Sequence, residues 1–403
     1  MTSYGRRCHE ATVPLRRHTR FGRDDGMRSP PQTIQRPARL APLQEVYARI
    51  DALAMPVAPR EVDLAHALGR VLAADAAAPT PVPVTAVALH DGWAIRADLV
   101  SDAGPYAPIP LSPTWVDTGE PLPHEADAVL LPDAVVARGA TAEALAPAVA
   151  GEGTLAAGAD ADPARPLRRA GERIRPIDVA ALRAAGVPRL RVREPRVAVF
   201  CANVLVDAVD DTVAPLVARA IEANGGLAAI ERATLDGGPS LENGLRDDTV
   251  DAVVVVGGTG AGRHDASVRT LAGIGRVHIH GMGIRPGESA ALGAVGTRPV
   301  LMLPGRLDAA LAIWLVVGER LLDRLTGLGA RADATPVRLA RKVVSTVGLA
   351  EIVPVGHCEG GVEPLASAYF PLQSLARAAG WILVPPESEG FPAGATVALR
   401  LFP

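Results

Sequence analysis

Asp251-Ala-Val-Val-Val-Val-Gly257-Gly258-Thr259-Gly260-Ala-Gly262-Arg-His-Asp265 runs a four-valine stretch directly into four glycines within six residues, and then into an acid. A short, wholly apolar run closed by glycine is the pattern of a strand buried on both faces. Working outward, Arg196–Cys201, Leu227–Glu231 and Val300–Leu303 have the same texture. Helical stretches are expected between and after them, at Val213–Asn224, Pro239–Leu245 and Ala309–Leu325. Strands alternating with helices predict a mostly parallel, three-layer α/β domain over residues 194–330.

The flanks read differently. Leu43, Val46, Tyr47, Ile50 and Leu53 share one face of a helix that Pro56 and Pro59 stop. A second helix is expected up to the C-cap glycine Gly186. Pairing the two gives a helical domain of residues 43–83 plus 166–193. Short apolar pieces between Gly/Pro/Asp turns make residues 84–165 a β module inserted in it. Residues 331–403 form a small C-terminal β domain. Residues 1–42, with nine arginines and no apolar h-region, read as a disordered basic tail or a mis-called start, with Met27 as the alternative start. The expected class is therefore multidomain α/β plus β.

Bulk composition excludes several functions. The 403 residues are 48% hydrophobic, enough for several cores, and only 3% aromatic, so those cores are built from Ala, Val and Leu. The net charge of −3 gives no case for nucleic acid. No apolar run approaches the ~20 residues of a membrane span. Cys8, Cys201 and Cys358 are too scattered for a disulfide framework or zinc site and suit a reducing compartment, hence a cytoplasmic location. Lys342 is the only lysine, which disfavours lysine-based chemistry.

The chemistry is expected at the strand ends. In open α/β sheets ligands sit outside the carboxyl ends of strands, where glycines let backbone N–H groups approach an anion. Gly257, Gly258, Thr259, Gly260 and Gly262 are such a loop, read otherwise as a plain tight turn, and Asp265 is an acid placed to hold a metal on a phosphate or oxyanion. Pro304-Gly305 ends a second strand at the same edge, and Arg285 is a candidate phosphate fork or a solvated loop arginine. The loop is neither a Walker loop nor a dinucleotide fingerprint, which argues against a nucleotide-sugar or NAD enzyme. In the β module Asp91 stands beside Gly92 and Trp93, as a ligand-contacting acid or the start of an Asx turn. Histidines 264, 278, 280 and 357 lack metal-ligand spacing and read as packing or solvated residues.

Taken in order, these motifs resemble the molybdopterin molybdenumtransferase family, of the MoeA and gephyrin E-domain type. Ala67–Asp75 is similar to its "ALGRVLAED", His90–Ile95 to "MDGYAV", and Thr118-Gly119 with Pro121–Pro123 and Ala126–Val129 to "TGAPLPPGADAVV". Gly257–Asp265 stands where the family has "GGVSVGxxD", Arg285-Pro286-Gly287 where it has "KPGKP", and Leu303-Pro304-Gly305 opens its "LPGNP". The match runs from about Leu43 to Pro403. The resemblance implies insertion of molybdate into adenylylated molybdopterin with Mg²⁺ and a homodimer. It also implies partnership with a MogA-type adenylyltransferase or a client molybdoenzyme. It further implies a cleft in which Asp91 and Thr118 of one subunit face the glycine loop of the other. Asp91, Thr118 and Asp265 are the catalytic positions it carries over, and Asp265, Asp236 and Asp91 the metal-holding ones.

The chain also departs from the family. Leu205 replaces the acid of "STGDEL", Glu288 replaces the second lysine of "KPGKP", and Arg306-Leu307 lacks the second proline of "LPGNP". Gly257–Gly260 is closer to the "GGTG" of MogA-type molybdopterin adenylyltransferases. These departures raise the alternative of a catalytically degenerate molybdopterin carrier serving one molybdoenzyme.

Overall fold

The computed structural model describes residues 35–138, 141–202, 212–232, 240–262, 265–329, 331 and 334–403. Its centre is a six-stranded sheet of β1 (Arg196–Cys201), β2 (Leu227–Arg232), β3 (Ala252–Val256), β4 (Arg276–His280), β5 (Ala291–Val295) and β6 (Arg298–Leu303). The spatial order is β2-β1-β3-β6-β5-β4. The pairs β2-β1, β1-β3 and β3-β6 are parallel, whereas β5 runs antiparallel to both β6 and β4.

Strand periodicity builds the layers. Val197, Val199 and Cys201 of β1 face a core shared with helices Val213–Ala223 and Leu307–Ile313, whereas Ala198 and Phe200 face a second core with Leu245, Val268 and Leu271. The packing is tight enough that a Cβ on Gly244 would sit 1.8 Å from the Phe200 ring. The chain leaves β1 for β2 on one side and returns to β3 on the other, so the direction of winding switches between β1 and β3. The carboxyl ends of these strands are where such a sheet opens a ligand crevice.

The first helix, Leu43–Leu53, does not pair with the helix Pro176–Ala184 as expected. Leu43, Val46 and Ile50 are buried in the α/β core, while Leu182 packs in a separate core with Leu64, Leu72, Leu190 and Val192. An apolar stripe requires burial but does not name its partner. The region around the second helix is also less helical than expected. It is a three-stranded sheet of Arg60–Asp63, Arg189–Arg193 and Val71–Leu72, with one short turn of helix at Leu64–His66. Gly69, at φ +77°, prevents a helix from continuing through Ala67–Leu72.

Between Leu72 and Arg189 lies the β module. One three-stranded sheet pairs Gly92–Ile95 with Thr114–Val116 and Ala128–Leu130, and a second pairs Thr141–Ala144 with Ile109–Leu111 and Val135–Arg138. Trp93 and Trp115 meet edge to face at 5.1 Å. At the other end, the long strand Ala350–Cys358 organises the C-terminal β domain, whose own core includes Val353, Val355, Val362, Ile382 and Val397. This strand also pairs in parallel with Ile284–Arg285, stitching that domain to the α/β domain.

The expectation of a disordered tail over residues 1–42 fails for residues 35–42. From Gln35 onward the chain is built into the fold. Ala41 donates to Gly281 and accepts from Gly283, and the Arg39 carbonyl and Pro37 ring press so closely on Gly281 that a Cβ there would approach within 2.5 Å. Among the described residues, no helix is long and apolar enough to cross a membrane.

Candidate functional site

β3 and β6 end side by side, with Val256 opposite Leu303. The Gly257 N–H donates to the Leu303 carbonyl at 2.9 Å, which places the glycine loop directly beside Pro304-Gly305. Gly257 and Gly258 have φ of +91° and +71°, a conformation that only glycine adopts readily. A Cβ on Gly257 would also lie 2.9 Å from the Ala202 carbonyl.

Three consecutive carbonyls of this loop are held by hydrogen bonds from Ser267, Gln35 and His280. Ser267 Oγ donates to the Gly257 carbonyl at 2.9 Å. Gln35 Nε2, at 2.6 Å, and the Ser267 N–H, at 3.1 Å, both donate to the Gly258 carbonyl. His280 Nε2 lies 3.0 Å from the Thr259 carbonyl, which fixes that nitrogen as the donor. In a trans peptide the N–H points opposite to the preceding C=O. Each tied carbonyl therefore turns the next N–H the other way. The N–H groups of Gly258, Thr259 and Gly260 have no partner among the described residues. A row of backbone donors with its carbonyls tied elsewhere has the chemistry to accept an anion. The N-terminus of helix Ser267–Ile274 adjoins it.

Thr259 is buried, and its hydroxyl lies 3.1 Å from that of Ser289. Ser289 in turn lines a cavity of about 760 Å³ with Pro286, Gly287, Glu288, Pro304, Arg306 and Tyr369. Arg306 is fixed at this cavity. Its Nε and Nη2 hold the buried Asp308 carboxylate at 3.1 and 2.7 Å, and its guanidinium stacks 5.1 Å over the Tyr369 ring. Its Nη1 has no partner among the described residues. Tyr369 follows Ala368, held at φ +59° by a 2.8 Å bond from its N–H to Glu351. Glu351 is itself buried, and its carboxylate also accepts from Ser345 at 2.6 Å and Ser367 at 2.7 Å.

A second cavity of about 760 Å³ lies among Tyr47, Arg320, Asp323, Arg331 and Trp381. It shares no lining residue with the first, and Arg320 and Arg331 there are paired with Asp51, Glu319 and Asp323.

The residues singled out in the sequence fall into separate groups. Gly257, Gly258, Thr259, Gly260, Pro304 and Gly305 come together. Asp265 joins them, with its Oδ2 accepting the Gly262 N–H at 2.8 Å. Arg285 is not a free fork, because Nε is on Glu288 at 3.2 Å and Nη1 on Thr346 at 3.3 Å. Asp91 and Thr118 meet each other: Asp91 Oδ1 accepts both the Thr118 N–H and its hydroxyl at 2.7 Å. The Thr118 hydroxyl, and then its N–H, hold the Asp91 carboxyl below its ordinary range. Neither residue has a hydrogen bond or ion pair to the glycine loop within one chain among the described residues. Asp236 and Leu205 lie outside the described residues. Among those described, no group of three His, Cys, Asp or Glu side chains is placed to hold a metal.

Sequence reasoning missed Gln35, Ser267, His280, Arg306 and Tyr369. Ser267 is the first residue of the helix after the loop, one past the N-cap Ala266, so its position gave only a weak signal. The others carried none.

A multidomain chain with a row of backbone donors at the switch point of its α/β domain is the class that fold and site define. The comparisons with known proteins agree. Residues 41–186 match the MoeA N-terminal region (domain I and II), and residues 200–324 match the probable molybdopterin binding domain. A putative molybdopterin biosynthesis protein of Methanocaldococcus jannaschii is 25% identical over 374 residues, 85% of this chain and 92% of that one. Molybdopterin molybdenumtransferase 1 of Mycobacterium tuberculosis is 27% identical over 369 residues, 79% of this chain and 84% of that one. The crystal structure of a Pyrococcus horikoshii MoeA protein superposes with a TM-score of 0.74 at 26% identity, covering 91% of this chain and all of its own. The chain belongs to the MoeA family of molybdopterin biosynthesis proteins.

Proposed function

We propose that this protein acts in molybdenum cofactor assembly, binding adenylylated molybdopterin and molybdate and releasing metal-loaded cofactor and AMP. The observation that carries the reading is the row of open N–H groups from Gly258 to Gly260 at the switch point, backed by three tied carbonyls. Such a row suits the phosphate end of the pterin. The adjoining cavity, with Arg306 in its wall, suits a second, smaller oxyanion such as molybdate. Asp91, kept ionised by Thr118, supplies a fixed negative charge.

In this reading the site is completed by a second copy of the chain. The support is that the Asp91–Thr118 pair and the loop each form half a site and make no described hydrogen bond to each other within one chain. Asp265 would add one carboxylate to any Mg²⁺, whose remaining oxygens would come from the substrate and water, and the ion would neutralise phosphate charge. The described residues do not by themselves assemble a place for it. The protein works in the cytoplasm, beside an adenylyltransferase that supplies its substrate or a molybdoenzyme that receives its product.

Complementation tests the reading. A cell lacking its molybdenumtransferase, given this chain, should regain growth on a substrate that needs a molybdoenzyme. A second reading, a molybdopterin carrier without turnover, is favoured by Leu205 in place of the family's acid. It predicts pterin binding without rescue. Neither binding nor rescue would reject both readings.

A further inference from the structure

The carbonyl clamps on the glycine loop do not all come from the α/β domain. Ser267 and His280 do, but Gln35 reaches the loop from the N-terminal arm, 223 residues away in sequence. Gln35 is only 8% exposed. Its amide is used at both ends: Nε2 donates to the Gly258 carbonyl at 2.6 Å, and Oε1 accepts the Arg269 N–H at 3.3 Å. Arg269 lies in the first turn of the helix Ser267–Ile274. One side chain thus fastens the glycine loop to the helix that follows it. The arm is anchored beside it by the exchange between Ala41 and the Gly281 and Gly283 backbone.

From this we infer that Gln35 is a positioning residue for the row of backbone donors. Resting on the proposed phosphate binding at this loop, the inference adds a determinant outside the glycine motif. The Gly258 carbonyl and the Thr259 N–H belong to one peptide plane. Holding the carbonyl toward Gln35 holds that N–H toward the ligand. Without the clamp, the two left-handed glycines at φ +91° and +71° leave that plane free to rotate, and the donor must be reordered whenever an anion binds. Ser267 keeps a longer bond to the same carbonyl, so the loop is loosened but keeps one tie.

The test compares wild-type protein with Gln35→Ala and Gln35→Glu, measuring molybdopterin affinity by titration and thermal midpoint in parallel. Gln35→Ala should bind about fivefold to tenfold more weakly, the effect of one lost net hydrogen bond, with its melting temperature little changed. In Gln35→Glu an ionised carboxylate faces the Gly258 carbonyl and cannot donate, whereas a protonated one can. Its affinity relative to wild type should therefore be reduced from about pH 8 down to about pH 5 and recover only as the pH falls to about 4 and below, where the carboxyl takes up its proton, a response that a merely structural role does not produce. With molybdopterin bound, amide exchange at residues 258–260 should be faster in both variants than in wild type at neutral pH. If wild type binds molybdopterin and both variants bind equally well at every pH, the inference is overturned while the functional reading stands. If wild type itself does not bind, the functional reading falls and takes the inference with it.

Discussion

Asp265 closes the glycine loop on itself: its Oδ2 accepts the Gly262 N–H at 2.8 Å and lies 2.9 Å from where a Cβ on Gly260 would be. The acid and the glycines are therefore one device. The glycines leave room for the carboxylate, which holds the turn, while Oδ1 has no partner among the described residues.

That geometry separates two roles by mutation. Asp265→Asn keeps the shape and an oxygen able to accept from Gly262, but removes the charge. It should leave the melting temperature within a degree or two and leave metal-free pterin binding unchanged. The extra affinity gained on adding Mg²⁺ should fall by roughly tenfold, the scale of one lost charge-assisted contact. Calorimetric titration with and without Mg²⁺ reads both quantities. An undiminished Mg²⁺ increment would leave Asp265 as a loop clamp and nothing more.

Arg306 is the cation of the adjoining cavity. Arg306→Ala removes a guanidinium with one edge on Asp308 and a face on Tyr369. Among the described residues, it leaves the buried Asp308 carboxylate with a single 3.4 Å bond from the Phe370 N–H. The arginine side chain is 67% exposed, so the stability cost should be about 1 kcal/mol rather than the several lost with a fully buried pair. The molybdate concentration for half-maximal cofactor loading should rise about tenfold, with the saturated rate within about twofold. An unchanged molybdate dependence would place the oxyanion elsewhere.

Part of this site could be read from the chain alone because buried strands closed by glycine leave a local mark, and the apposition of β3 and β6 follows from α/β winding. What could not be read depends on partners distant in sequence. The stripe Leu43–Leu53 announced a buried face, yet whether it met the helix at Pro176 or the α/β core was undetermined by periodicity. His280 read as a packing or solvated histidine because it lacks metal-ligand spacing, and nothing local says that its strand, Arg276–His280, folds back antiparallel and brings its ring to the Thr259 carbonyl. Gln35 sits in an arginine-rich stretch without apolar pattern, so only the fold brings it to Gly258.

A pH prediction follows from Asp178, at the start of the helix Pro176–Ala184. Burial raises its carboxyl pKa, but the bonds from the Arg175 side chain and N–H, with Arg168 nearby, more than offset this, so the net shift is downward from 3.8. A folded-state value below the unfolded one means stability that is fully present above the unfolded value and lost as pH falls through the folded one. Asp178→Asn should cost about 1 kcal/mol at neutral pH through the weakened helix start. It should also flatten the loss of stability below about pH 4. Urea midpoints measured from pH 3 to 7 should show the wild-type and variant curves converging at the acid end. Parallel curves would assign the low-pH loss to other carboxylates.

The division of the site between subunits can be tested without a structure of the assembly. Suppose Asp91→Asn abolishes activity through the β module and Asp265→Ala through the loop. In a two-fold dimer with shared sites, each site joins the Asp91–Thr118 pair of one chain to the glycine loop of the other. A mixed dimer with one mutation on each chain then gathers both defects into one site and leaves the other intact. If each site lay within a single chain, the same mixed dimer would carry one defect in each site and have no intact one. Random reassociation of equal amounts makes half the dimers mixed, so activity should return to about a quarter of wild type. Recovery should track the mixed-dimer fraction, read by native mass spectrometry, as the mixing ratio is varied. Activity that stays at the level of the separate mutants, with mixed dimers present, would place both halves of the site in one chain.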